Sequence, residues 1–347
     1  MIAVKVNIRG HLRQNVYLSI SIIDFMKQIG VLLSKNYKLL SVAAILEVFE
    51  TVNKFYATAG DELPFELSLL AADDSILSQK ESFGYQLQAI KDVKQLDLIL
   101  IPAFTSDNMQ ETLQANSRCV PHLINQYNNG ACIGTFCTGA FLLGASGLLN
   151  GKIATTHVDA SDGFANAFPE VNLKADRTVT QDGRLYTSGG ATSSFHLLLH
   201  LVQEFCGNEM AIKIAKVFAI DMDRDKQSYF STFQPSRNHN DELVASAQQK
   251  IESNYHDVAT IEELIKDIPS SRRNIVRRFK QVTGITPIEY LQQTRIAAAK
   301  KLLERTGQQM TEIIFNSGYS DPKAFRKVFK KSVGMTPSQY REKFQVR

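Results

Sequence analysis

The chain has little sulfur and no long apolar stretch. Its four cysteines, Cys119, Cys132, Cys137 and Cys206, show neither CxxC spacing nor regular intervals. That excludes a disulfide-stapled mini-protein and points to free thiols in a reducing cytoplasm. No run approaches the roughly 18 apolar residues that a membrane span needs. The segment Val16-Tyr-Leu-Ser-Ile-Ser-Ile-Ile23 has the character of a weak signal core, but Asp24 follows it without a small-x-small cleavage site. Export is therefore not expected, and the expected location is cytoplasmic. Excess charge is scarce as well, with 39 Lys+Arg against 35 Asp+Glu.

What is present is the composition of a globular chain, 44% hydrophobic and 21% charged over 347 residues. This excludes wholesale disorder and collagen-like repetition, and at about 150 residues per domain it implies two domains. The small net charge hides a split. Residues 237–347 hold 20 Lys+Arg and 12 Asp+Glu, a net of +8, which leaves 19 and 23, a net of −4, for residues 1–236. A basic half joined to an acidic one implies a polyanion-binding domain attached to a domain of another kind.

From Met26 short apolar runs alternate with amphipathic ones. Strands are expected at Ile29–Leu33, Phe65–Leu70, Leu96–Ile101 and Gly130–Gly134, and helices over Val42–Tyr56 and Asn108–Asn129. The alternation predicts an α/β domain, a flavodoxin-like and mainly parallel sheet covered on both faces, with ligands at the carboxyl ends of its strands. Asp182-Gly183 separates two short extended pieces as a hairpin turn does, and Ser194–Cys206 and Glu209–Asp221 read as helices. Periodicity then vanishes until about residue 240. The expected division is an extension at 1–25, an α/β domain at 26–222, a linker at 223–240 and an all-α domain at 241–347.

The helical half contains a repeat. Phe279–Tyr290 and Phe329–Tyr340 share F-K-x-x-x-G-x-T-P-x-x-Y at an offset of 50 residues. A basic helix precedes each copy: Ser271–Lys280 and Pro322–Lys331 each carry five basic residues in ten and no acid. Ile275 and Phe279 share one face of the first helix, as Phe325 and Phe329 do in the second, leaving Arg273 with Arg277 and Lys323 with Lys327 on outward faces. One basic face is commonly just a solvated surface. Two at matching positions of a duplicated module favour a pair of helix-turn-helix readers, in which Arg bonds guanine edges and Lys neutralises phosphate. The expected DNA-facing residues are Arg272, Arg273, Asn274, Arg277, Lys323, Arg326 and Lys327.

In the first half, Gly130-Ala-Cys-Ile-Gly-Thr-Phe-Cys-Thr-Gly-Ala-Phe141 places Cys137 where an apolar strand meets a small-residue turn into a helix. Such an elbow exposes a thiol to helix N–H groups, and His157 in Ala154-Thr-Thr-His157 is the matching candidate base. The alternative, a buried structural cysteine beside a structural histidine, has equal standing on these residues. His196 and His200 have the four-residue spacing of zinc ligands but lack a third partner, so neither a metal nor a cofactor is expected.

Two resemblances follow. Ile261–Phe344 resembles the AraC/XylS DNA-binding domain, through Ser271-x-Arg273-x-Ile275-x-Arg277-x-Phe279, Gly284-x-Thr-Pro287, Arg295, Leu302-Leu303 and Gly318-Tyr319. The resemblance implies two helix-turn-helix units joined by a long helix, entering successive major-groove segments. Ile265 and Ile314 stand where that family has a small Ala, and Pro269 where it has a turn Gly. This bulk is expected to alter how the helices cross.

Residues 29–221 resemble the PfpI-like branch of the class I glutamine amidotransferase fold, and the sensing half of GlxA-type AraC regulators. The motifs are Gly134-Thr-Phe-Cys-Thr-Gly-Ala140, Gly147-Leu-Leu-Asn-Gly151, Ala154-Thr-Thr-His157, Phe168-Pro169 and Thr187-Ser-Gly-Gly190. Enzymes of that branch are expected to use the elbow cysteine, a His directly after it and an acid from the first strand–helix loop. This chain has Thr138 and Ser41 at those places, and Ala103-Phe104 where glycines would keep the pocket mouth open.

The resemblance therefore implies a DNA-binding transcriptional regulator that is not an enzyme. A small effector, an amino acid or betaine-like compound, is expected at Cys137, Thr138, His157 and Phe104. Double-stranded DNA and a second copy of the chain are the expected partners. The alternative is a thiol-dependent amidohydrolase or glyoxalase-like enzyme with a DNA-binding appendage.

Overall fold

The computed structural model describes residues 26–190, 192–222, 227, 233, 239–257 and 260–345. The expected extension at 1–25 lies outside them. So does the expected linker, apart from Gln227, Phe233, His239 and Asn240.

Ten strands occur among the described residues: β1 Lys27–Leu32, β2 Phe65–Ala71, β3 Glu81–Ser82, β4 Tyr85–Ala89, β5 Leu98–Ile101, β6 Cys132–Phe136, β7 Ile153–Ala154, β8 Asn172–Leu173, β9 Val179–Asp182 and β10 Leu185–Ser188. Eight form one sheet in the order β3-β4-β2-β1-β5-β6-β10-β9, while β7 and β8 pair separately. The central pairs are parallel, and only β3–β4 and β9–β10 at the two edges are antiparallel. β5 is Leu-Ile-Leu-Ile with every residue buried, the continuous apolar strand that a sheet covered on both faces requires.

The first half supplies helices α1 Leu39–Ala59, α2 Asp74–Leu77, α3 Met109–Ala115, α4 Val120–Asn128, α5 Gly139–Ala145, α6 Ser161–Ala167 and α7 Ser193–Val217. One sheet face packs on α1 and α7 through Val42, Phe49, Leu198 and Val202. The other packs on α4, α5 and α6 through Leu123, Leu142 and Phe164. α1 begins three residues ahead of the expected Val42, because Leu39 and Leu40 lie on its exposed side at 62% and 63% and break the apolar period. The expected helix over Asn108–Asn129 is two helices, α3 and α4, joined by a 3-10 turn at Ser117–Cys119. α7 spans both helices expected at 194–221, with a kink at Gly207, whose φ is +81°.

The chain runs outward from β1 to β2 and then returns to place β5 on the other side of β1. Side chains after β1 and β5 therefore meet over a topological switch point, where ligands of such sheets bind.

The second half is helical: α8 Glu242–Asn254, α9 Ile261–Ile265, α10 Arg272–Thr283, α11 Pro287–Arg305, α12 Met310–Asn316, α13 Pro322–Val333 and α14 Pro337–Phe344. It has two apolar cores, one around Phe279 and Tyr290 and one around Phe329 and Tyr340. The repeated motif explains the duplication residue by residue. Phe279 and Phe329 are fully buried. Gly284 and Gly334 end the basic helices with φ of +82° and +86°, a left-handed cap that glycine adopts without strain. Thr286 and Thr336 form capping boxes with Glu289 and Gln339, each followed by Pro at the first helical position. The Tyr290 and Tyr340 hydroxyls donate to Glu252 and Glu304, each at 2.5 Å. Ile265 and Ile314, the bulky departures, are buried in their respective cores.

Candidate functional site: a cavity at the strand ends and two basic helices

A cavity of about 60 Å³ opens at the carboxyl ends of the strands, lined by Lys38, Leu40, Ser41, Ala103, Cys137, His157 and Ser194. Lys38 to Ser41 follow β1 and begin α1, Ala103 follows β5, Cys137 follows β6 and Ser194 begins α7. Cys137 has φ of +55°. This is a left-handed conformation costly for a residue with a Cβ, and it lets the chain turn sharply from β6 into α5. The turn is packed tightly below: a Cβ on Gly139 would lie 2.6 Å from the Ile101 carbonyl oxygen.

Of the four expected effector-site residues, Cys137 and His157 line the cavity and the other two do not. The Thr138 hydroxyl donates to the Phe104 carbonyl at 2.6 Å and accepts from the Phe104 N–H at 2.9 Å. Thr138 thus clasps β5's exit to the elbow. The Phe104 ring is 1% exposed, in the sheet's apolar core, so it does not narrow the mouth. Ser41, at the position of the enzymes' acid, accepts from the Ala103 N–H at 3.0 Å.

The electrostatics disfavour thiol chemistry. Burial pushes the Cys137 thiol up from its ordinary value, against smaller opposing effects of Lys38 and Thr138. Burial also pushes His157 down, helped by Lys38 and opposed by Asp159. Both groups are therefore held neutral, a weak nucleophile beside a weak base. Among the described residues no carboxylate lines the cavity to poise the thiol.

Lys38, Leu40 and Ser194 were not anticipated. Lys38 carries no ion pair among the described residues, and Ser194, 2% exposed, borders the cavity from the first turn of α7. The signal available for all three is their position directly after a strand or at a helix start on the sheet's carboxyl edge. The nitrogens of His196 face the carbonyls of Thr192 and Asp221, and His200 bonds the Gln181 side chain at 2.8 Å, so packing accounts for that spaced pair.

The second site is the outer face of α10 and α13. Ile275, Phe279, Phe325 and Phe329 point inward, while Arg272, Arg273, Arg277, Lys323, Arg326 and Lys327 are exposed and Asn274 is half-buried. Ser271 caps α10 and Asp321 caps α13 through their side chains, which fixes where each helix starts. Arg272 pairs with Glu262, and Asn274 accepts from Arg277 at 3.0 Å while donating to Ser270 at 2.9 Å. Arg278 is engaged differently, in a bond to Asp241 at 2.9 Å, and serves the core side of the domain.

Residues 266–343 match a family described as a helix-turn-helix domain, and residues 40–204 match the DJ-1/PfpI family. The transcriptional regulator GbdR of Pseudomonas aeruginosa is 25% identical over 91% of this chain and 84% of its own length. GlxA of Rhizobium meliloti, also an HTH-type transcriptional regulator, is 22% identical over 92% of this chain and 96% of its own. The crystal structure of an AraC family transcriptional regulator from Pseudomonas putida is 18% identical, with a TM-score of 0.42, over 55% of this chain and 99% of that one.

Proposed function

Because the chain belongs to the HTH-type transcriptional regulators that join a DJ-1/PfpI domain to an AraC-type helix-turn-helix domain, we propose that its cavity binds a small effector and that occupancy changes how α10 and α13 engage DNA. The observation that carries the DNA half is the pair of outward basic faces at matching positions of a duplicated module, each on a capped helix. Arg273 and Arg277 are assigned to the first half-site, and Lys323, Arg326 and Lys327 to the second. A homodimer joined through the sheet domains, acting in the cytoplasm, completes the reading.

For the effector we propose a small amino acid or other short carboxylate. Lys38 lines the cavity without a counter-ion among the described residues, and the N-termini of α1 and α7, neither with an acid in its first turn, converge there. Helix N-termini and a lysine together favour an anion. A trimethylammonium group would want a Phe, Tyr or Trp face or a carboxylate, and the cavity lining has neither among the described residues, so we favour a primary amine over a betaine.

The test is selection of duplexes from random DNA by the full chain, with and without glycine, acetate and glycine betaine. Enrichment of paired half-sites, shifted by glycine or acetate, is the expected result. Recovery of unenriched DNA would end the regulator reading, and a shift by glycine betaine but not by glycine would end the preference for a primary amine over a betaine.

A further inference from the structure

We propose that Gln227 is a latch through which the cavity wall holds the tether to the DNA-binding domain; the inference rests on the regulator reading above. Gln227 lies in a stretch without periodicity, yet it is 1% exposed. A glutamine loses much rotamer freedom and desolvates an amide on burial, so such a site is costly unless the amide is matched on every side. Here it is. Its Oε1 accepts from the Gly190 N–H at 2.9 Å, and its Nε2 reaches the carbonyl oxygens of Thr156 at 2.8 Å and Ala175 at 3.1 Å, with the Thr155 hydroxyl at 3.3 Å. Its own N–H donates to the Asp176 carbonyl at 2.9 Å.

The seat is shaped for this side chain. A Cβ on Gly189 would collide with the Gln227 amide, and one on Gly190 would lie 3.2 Å from the His157 ring. The Gly-Gly pair of the Thr187–Gly190 motif is thereby explained: one glycine leaves room for the latch and the other for the cavity histidine. The latch is also next to the cavity in the chain. Thr156 precedes His157, and its hydroxyl donates to the Cys137 carbonyl at 2.9 Å. An effector that moves His157 or the Cys137 elbow moves the groups that grip Gln227.

The tether has a second anchor. Phe233 packs into the first helix-turn-helix core, its ring 5.1 Å from that of Tyr290. Six residues span at most about 20 Å, so seating Gln227 confines the first reader to a short radius around the cavity wall.

The experiment compares the full chain with Gln227→Ala, Gly189→Ala and the double variant, by trypsin cleavage after Arg224, Lys226 and Arg237 and by affinity for a selected duplex. The latch predicts cleavage at least tenfold faster in each single variant, a duplex affinity changed at least fivefold in each, and a double variant no worse than either single, because both remove one contact. Unchanged cleavage and affinity in the single variants would overturn it, as would additive effects in the double. A purely structural glutamine would lower the melting temperature of the sheet domain and leave duplex affinity as it was. Failure of the regulator reading looks different: the unmodified chain would then select no duplex at all.

Discussion

The residue on which thiol chemistry would depend is Cys137, and its surroundings argue for a wall rather than a nucleophile. It is buried, its thiol is pushed up and His157 is pushed down, mainly by loss of water. Alkylation of Cys137 by iodoacetamide should therefore be slow at neutral pH and still rising above pH 9, since only the thiolate reacts. A rate that levels off below pH 7 would mark an activated thiol and revive the enzyme reading. On the other surface, Arg273→Ala or Arg277→Ala should weaken binding to a selected duplex by about 1–3 kcal/mol if the guanidinium reads a base edge. Competition with random DNA checks this: equal losses on both duplexes would make these residues phosphate contacts.

At the scale of elements, the fold rests on a few buried aromatics at repeated positions. Phe329→Ala removes the ring that touches Phe325 and Tyr340 in the second core. It should cost about 3–5 kcal/mol, seen as loss of the far-UV helix signal at lower denaturant, while the first core, built from Phe279 and Tyr290, is spared. Loss of both units together would show them to be one cooperative body.

These helices were legible because the 50-residue repeat and the four-residue apolar spacing state them outright, and the central strands were legible as short apolar runs. The hairpin β3–β4 was not: Glu81–Ala89 alternates exposed and half-buried residues, none of them buried, so it lacks an apolar signature. The cavity was half legible. The elbow motif announces Cys137 and His157, but Lys38 and Ser194 reach it only through strand order, and Gln227 sits in a stretch whose local pattern signals nothing.

Across the whole molecule, the charge split of −4 and +8 separates a reader of polyanions from a body that must not compete for them. Two routes connect the halves near the cavity. One is the tether from Gln227 to Phe233. The other passes through Asp159, whose N–H donates to His157 Nδ1 at 3.1 Å and whose charge also acts on Lys300 of α11, the helix joining the two reader units. Burial pushes Lys300 down from its ordinary value, opposed by Glu304 and Asp159.

The central claim is that this cavity governs DNA binding, and the most direct measurement is duplex affinity of the full chain, titrated with glycine and acetate, for the unmodified protein and Lys38→Gln. The account predicts that the dissociation constant of the unmodified chain shifts several-fold as the carboxylate is added and that the shift disappears in Lys38→Gln while basal affinity stays within about twofold. An affinity that ignores both compounds, or a Lys38→Gln chain that responds like the unmodified one, would contradict it.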